Sequence, residues 1–258
     1  MAAALRVFDH RAIQYRRTAR GSLFGSFVSP VMFLAAMGLG LGSYVDRSDP
    51  ATLGGIPYLA WLAPGLLVAT VMQAAAFESS YRIMDGLHWS RTFQAMVATP
   101  IGAREVALGN LAWIAARLAM IAAIFSGVVI LFGAARSPLI VLAIPVAVLS
   151  GMSFAGPIAA YAARLQTPDN FAAIFRFGIT PLFLLSGTFF PLDGLPAPVQ
   201  ALAWLSPLWH GVSLARALAF GTVLDAPVEA LVHLAILAAV AGVGAWLATR
   251  SFEKRLAR

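Results

Sequence analysis

The sequence predicts an all-α polytopic membrane protein: six transmembrane helices, an N-terminal interfacial helix, and external re-entrant helices between spans 5 and 6. Three observations predict it. Of 258 residues, 60% are apolar and only 11% charged, at a mean hydropathy of +0.82, whereas a soluble domain carries about 25% charge. Charge-free runs of membrane-spanning length recur along the chain. The basic residues behind the net charge of +7 bracket those runs and do not form the single face or stripe that nucleic acid would need.

Crossing a bilayer core takes about 20 apolar residues. The run 22–45 holds 24 residues without a charge, 57–77 holds 21 and 137–163 holds 27. The run 106–132 is broken only by Arg117, 170–192 only by Arg176, and 226–249 carries Glu229 near one end and His233 inside. These make six spans. The first is expected to stay as an anchor, because five arginines (Arg6, Arg11, Arg16, Arg17, Arg20) precede a run too long for a signal peptide, with no A-x-A site after it.

A further charge-free stretch, 194–215, competes as a seventh span. With six spans and the N-terminus inside, 13 Lys or Arg residues fall on the cytoplasmic side against Arg47, Arg136 and Arg216 outside. A seventh span changes that split to 10 against 6, which the positive-inside rule disfavours. Pro196, Pro198 and Pro207 disfavour it as well, since an interior proline removes a helix hydrogen bond. The stretch reads instead as helical pieces that dip into the outer leaflet, with non-helical backbone buried in protein.

Two cytoplasmic segments read as interfacial. On a helical wheel Leu5, Phe8, Ala12, Tyr15 and Ala19 share one sector away from Arg6, Arg16, Arg17 and Arg20, which predicts a helix over 1–21 lying flat on an anionic leaflet. Over 81–99, Trp89, Phe93, Met96 and Val97 follow helical spacing, with Arg91 and Gln94 elsewhere. Thr99 and Pro100 then read as the N-cap and first residue of the third span.

Most chemistry is excluded. A phosphate-cradling loop needs a lysine on a glycine-rich turn, and the one lysine, Lys254, follows Phe252 and Glu253. Without cysteine, and with His10, His88, His210 and His233 scattered on both sides of the membrane, no zinc site is expected. Ser153 with His233 as base is the best catalytic decoy, but no complete G-x-S-x-G elbow and no orienting carboxylate accompany it. The glycines Gly38, Gly40 and Gly42 read as packing or helix flexibility. Arg117, about 18 Å into its helix, and Arg176, about 12 Å in, must face protein, water or an interface. For Arg117 a structural pairing with an acid such as Glu78 competes with a place on a translocation path. Trp61, Phe183, Phe189, Phe190, Trp204 and Trp209 cluster on the external side, as an interfacial belt or as a gate.

Four segments then become specific: Tyr58-Leu-Ala-Trp-Leu-Ala-Pro-Gly65, Ala98-Thr-Pro-Ile-Gly-Ala-Arg-Glu105, Leu185-Ser-Gly-Thr-Phe-Phe-Pro-Leu-Asp193 and Leu205-Ser-Pro-Leu-Trp-His210. Together, and in this order, they resemble the ABC-2 family of transporter permeases, in its nodulation protein J branch and near the polysaccharide-export and doxorubicin-resistance permeases. The resemblance runs over nearly the whole chain. It implies one permease domain over 1–258, with an interfacial helix over 1–21, a cytoplasmic coupling loop over 80–105 and an external re-entrant region over 193–225. It further implies two permease subunits, identical or homologous, in a bacterial inner membrane with both termini cytoplasmic. Two copies of a separate ABC ATPase subunit would dock beneath and drive export of an amphipathic substrate: a glycolipid, a lipid-linked saccharide or a hydrophobic drug. No cofactor, metal or catalytic residue is implied. Carried onto this chain, the ATPase-coupling residues are Arg82, Gly86, Arg91, Phe93 and Pro100. The path or gate residues are Arg117, Phe189, Phe190, Trp204 and Trp209. An intramembrane enzyme lacks a complete constellation here. A channel or secondary transporter would place acids within its spans, where only Glu78 and Glu229 at span ends qualify.

Overall fold

A computed structural model describes residues 2–48, 53 and 55–256, with the backbone alone at 2, 18, 20–23, 25–27, 29–30, 39 and 48. Arg258 and the side chain of Arg20 lie outside the described residues. Every regular element among them is helical. In chain order these are α1 (Ala2–Leu34), α2 (Gly42–Ser48), α3 (Tyr58–Met84), α4 (Thr92–Val97), α5 (Ala103–Leu131) and α6 (Ala143–Ala162), then α7 (Asp169–Ile174), α8 (Thr180–Leu185), α9 (Ala197–Trp204), α10 (Pro207–Phe220) and α11 (Pro227–Leu256).

Four stretches among the described residues are long and apolar enough to cross a membrane: Tyr58–Trp89, Ala103–Leu131, Pro138–Ala162 and Pro227–Leu256. They coincide with the expected second, third, fourth and sixth spans. The first runs within α3 and is the most enclosed, while α11 shows most of its length to the outside. Glycine sets the closest approach: a Cβ on Gly156 of α6 would lie 2.5 Å from the backbone of Gly244 on α11, so these helices cross backbone to backbone, as small residues permit.

The expected first and fifth spans differ from expectation. No break separates 1–21 from the following apolar run. Helix α1 continues through a π-helical segment, Ala35–Leu41, into α2, because no Gly or Pro interrupts 2–20 and Gly21 alone costs a helix only about 1 kcal/mol. The stripe expected to rest on lipid packs in part on α5: Phe8 and Tyr15 hold their rings 5.7 Å and 5.5 Å from Trp113. The expected 170–192 helix is shorter. It comprises α7, a π-helical turn at Phe175–Ile179 and α8, and stops at Leu185 because Gly187, at φ +75°, turns the chain left-handed.

Both described chain ends lie at one end of the bundle. Val7 packs on Gly109 near the start of α5, and Phe252 of α11 packs on Phe93 of α4. At the opposite end Asp46 accepts a hydrogen bond from the Tyr58 amide (2.9 Å), satisfying a first-turn donor of α3. There too the Ala219 carbonyl at the end of α10 accepts from the amides of Arg136 and Ser137 before α6.

Candidate coupling and gate regions

At the end that carries the termini, α3 runs on through a π-helical turn, Asp85–Trp89. The single helix expected over 81–99 is broken there. Ser90 closes the turn with its amide on the Asp85 carbonyl (2.9 Å), and Arg91 takes φ +50°, the only non-glycine with positive φ among the described residues. The turn re-aims the chain so that α4 presents Phe93 inward. Phe93 is fully buried, in a notch that exists because residue 86 is glycine: a Cβ there would lie 2.6 Å from the ring. The Phe252 ring lies at 5.5 Å, and the Arg11 guanidinium stacks over Phe93 at 5.2 Å.

The five residues assigned to ATPase coupling therefore divide. Gly86 and Phe93 fit into each other inside the protein, while Arg91 and Pro100 are exposed on the outer surface of the loop. Trp89, expected on the apolar stripe, is 59% exposed, because the left-handed residue at 91 breaks the helical register between it and Phe93. Thr99 and Pro100 do not start α5. The Thr99 hydroxyl donates to the Met96 carbonyl, so both belong to the turn that ends α4, and α5 begins after Gly102 in extended backbone.

Arg82 lines a polar cavity of about 290 Å³ together with Arg11, Gln14, Tyr15, Glu78, Trp113 and Arg117. Arg117 is buried there. Its Nη1 donates to the Tyr15 hydroxyl (2.8 Å), its guanidinium stacks on the Tyr15 ring at 4.5 Å, and its Nε lies 4.0 Å from Glu78. The pairing with Glu78 is thus present, and it forms part of a cavity wall.

At the far end the residues grouped as a gate fall into two clusters. Phe189 packs between Phe183 (5.1 Å) and Phe33 (6.1 Å), and its carbonyl accepts from the Tyr58 hydroxyl (3.2 Å). Phe190 beside it faces outward. Trp204 and Trp209 pair with each other at 6.1 Å and line a separate cavity of about 450 Å³ with His210, Glu229 and His233. The rings of His210 and His233 meet at 2.8 Å between their Nδ1 atoms, one donating to the other. Two histidines expected to be scattered are therefore in contact. No third metal-ligating side chain joins them among the described residues.

Between these clusters lies Arg216, counted in the sequence only as an external charge. It leaves α10 to stack on Trp61 at 3.6 Å. Its Nε donates to the Trp61 carbonyl (3.0 Å), and its Nη2 donates to the carbonyls of Gly187 (2.7 Å) and Thr188 (3.3 Å). The guanidinium thus satisfies the non-helical backbone after α8, the burden that buried irregular backbone imposes in a membrane. The catalytic decoy is not assembled: the Ser153 hydroxyl donates to the carbonyls of Leu149 and Leu237, and His233 is engaged by His210. Neither Arg216 nor Arg11 carried a local signal, since the partners of each are distant in sequence.

The helical bundle, its apolar spans and the order of these segments match the ABC-2 type transporter family over residues 5–220. The chain belongs to that family and is a membrane component of an ABC transporter. Among its relatives it is 31% identical to nodulation protein J of Rhizobium leguminosarum bv. trifolii, over 98% of this chain and 93% of that protein. It is 30% identical to nodulation protein J of Sinorhizobium fredii, over 97% and 92%, and 28% identical to that of Rhizobium meliloti, over 97% and 92%. Membership implies an ABC ATPase as partner, in keeping with a chain that has no phosphate-cradling lysine.

Proposed function

We propose that this chain is the permease subunit of an ATP-driven exporter. It crosses the inner membrane six times with both termini cytoplasmic, pairs with a second permease, and is driven by two ATPase subunits docked on the loop around Arg91. The observation that carries this reading is the joint at Phe93. One buried ring on an exposed loop touches α1 through Arg11, α3 through Gly86 and α11 through Phe252. A force on that loop therefore reaches three long helices through packed atoms. The external re-entrant region corresponds to α9 and α10, the latter held against α3, α6 and α11. An amphipathic cargo suits an apolar cavity of about 970 Å³ bounded by Leu149, Met152, Leu214, Leu218 and Leu231, which can take a lipid chain or a hydrophobic drug.

Co-purification with the cognate ATPase tests the docking. Arg91→Glu reverses an exposed charge without disturbing the packed ring, and is expected to cut recovered ATPase at least tenfold while the inserted amount of permease stays unchanged. Full recovery would remove the loop from the interface. Phe93→Ala is the wrong probe for docking, since emptying a buried Phe site costs about 3–5 kcal/mol of stability.

Topology has its own test in a chain that lacks cysteine. A cysteine at Asp193 or Asp225 is expected to react with an impermeant maleimide in whole cells, and one at Ser90 to stay protected. Labelling at Ser90 or protection at Asp225 would overturn the arrangement.

A further inference from the structure

The cavity between α1, α3 and α5 has more positive charge than its own residues neutralise. Three arginines, Arg11, Arg82 and Arg117, line it with one acid, Glu78, and Glu78 is the ion-pair partner of Arg117. Arg11 carries the argument. It is 7% exposed, and its Nε and Nη2 are buried without any hydrogen-bond partner, although a buried guanidinium nitrogen left unpaired is costly. Its stacking on Phe93 engages the face of the guanidinium and leaves those N–H donors unspent. Gln14, Trp113 and the Tyr15 hydroxyl add polar groups to the same wall.

We propose that this cavity is an anion site for a phosphate group, held chiefly by Arg11 with Arg82 at its open rim. Guanidinium donors in a planar fork match phosphate oxygens. The position suits a phosphate at headgroup depth: Trp113 stands ten residues into α5, about 15 Å along the helix, and Arg82 at the last turn of α3 is exposed. The phosphate can belong to a lipid headgroup entering sideways or to free inorganic phosphate. Because Arg11 also covers the Phe93 ring, an occupant of the cavity bears directly on α4. The site stands on the cavity itself and holds whether or not the chain is an exporter.

Binding by the purified full-length chain tests this. One arm titrates radiolabelled inorganic phosphate in a neutral maltoside detergent at constant ionic strength with chloride. The other uses native mass spectrometry to count retained lipid from nanodiscs of phosphatidylcholine with and without phosphatidic acid. Saturable binding in either arm is expected, weakened at least tenfold by Arg11→Gln and less by Arg82→Gln, while Arg17→Gln on the exposed side of α1 leaves it unchanged. Binding in the first arm identifies free phosphate as sufficient, and binding confined to the second identifies the lipid headgroup. Arg11→Gln removes an unpartnered buried charge, so its unliganded thermal midpoint should equal or exceed that of the parent chain. Should that variant fail to fold, Arg82→Gln on the rim still reports the site. Absence of binding in both arms would overturn the proposal. Equal losses from the Arg11, Arg82 and Arg17 variants would do the same, because they would reduce the effect to general surface charge.

Discussion

Arg216→Met is expected to destabilise the protein by about 3 kcal/mol or more, read as a lower thermal midpoint in detergent and faster proteolysis between α8 and α10. Three carbonyls, those of Trp61, Gly187 and Thr188, depend on this one guanidinium. Each buried acceptor left unsatisfied costs about 1–3 kcal/mol. Methionine keeps apolar contact with Trp61, so the loss isolates the hydrogen bonds from the packing. Arg216→Lys restores the charge without the planar fork that serves two separate backbone segments at once, and should recover only part of the stability. A midpoint unchanged in Arg216→Met would mean that those carbonyls find other donors and that the turn does not need its clamp.

Gly156→Ala should be the most damaging single methyl in the spans. Its Cβ would enter the Gly244 backbone at 2.5–2.7 Å, and backbone has no rotamer in which to retreat, so α6 and α11 must separate along their crossing. Overpacking of this kind costs typically 1–3 kcal/mol, occasionally more, and here the moving element is the last long helix. Gly242→Ala, on the same α11 but with nothing within 4 Å of its Cβ, provides the control. It should be neutral or slightly stabilising, as Gly to Ala within a helix usually is. A cysteine crosslinking ladder across the two helices would report the separation in the first variant and none in the second. Equal behaviour of the two variants would show that the close crossing is not what holds these helices together.

The spans near α3, α5, α6 and α11 were legible because length and hydropathy are local properties, and each of these helices exceeds what a bilayer needs. The coupling segment was legible in outline, since Phe93, Met96 and Val97 do mark the buried side of α4. Its geometry was not, because a positive φ at Arg91 has no signature in an arginine. The start of α5 was misread at Thr99 and Pro100, where a hydroxyl closes the preceding helix and not the next one. The N-terminal segment showed its amphipathic stripe correctly, but amphipathicity cannot distinguish lipid from a neighbouring helix as the apolar partner, and Trp113 supplied the latter for Phe8 and Tyr15. The residues that organise the two ends, Arg11, Arg216 and the His210–His233 pair, were hidden for a common reason. Each acts across a separation of more than 20 residues, and only the fold brings their partners into reach.

The ring contact between Phe93 and Phe252 also sets an order in time. Phe93 is made 159 residues before its partner. At about 5–20 residues per second of synthesis the delay is on the order of 8–30 s, during which α3 to α6 can already be in the bilayer. The loop around Arg91 cannot take its final packing until almost the whole chain has left the ribosome. A nascent permease consequently offers no finished surface to a waiting partner, and a chain truncated before residue 252 would insert its helices yet remain without a seated joint. Completion of the polypeptide thus becomes a checkpoint for assembly, written into the position of one phenylalanine near its end.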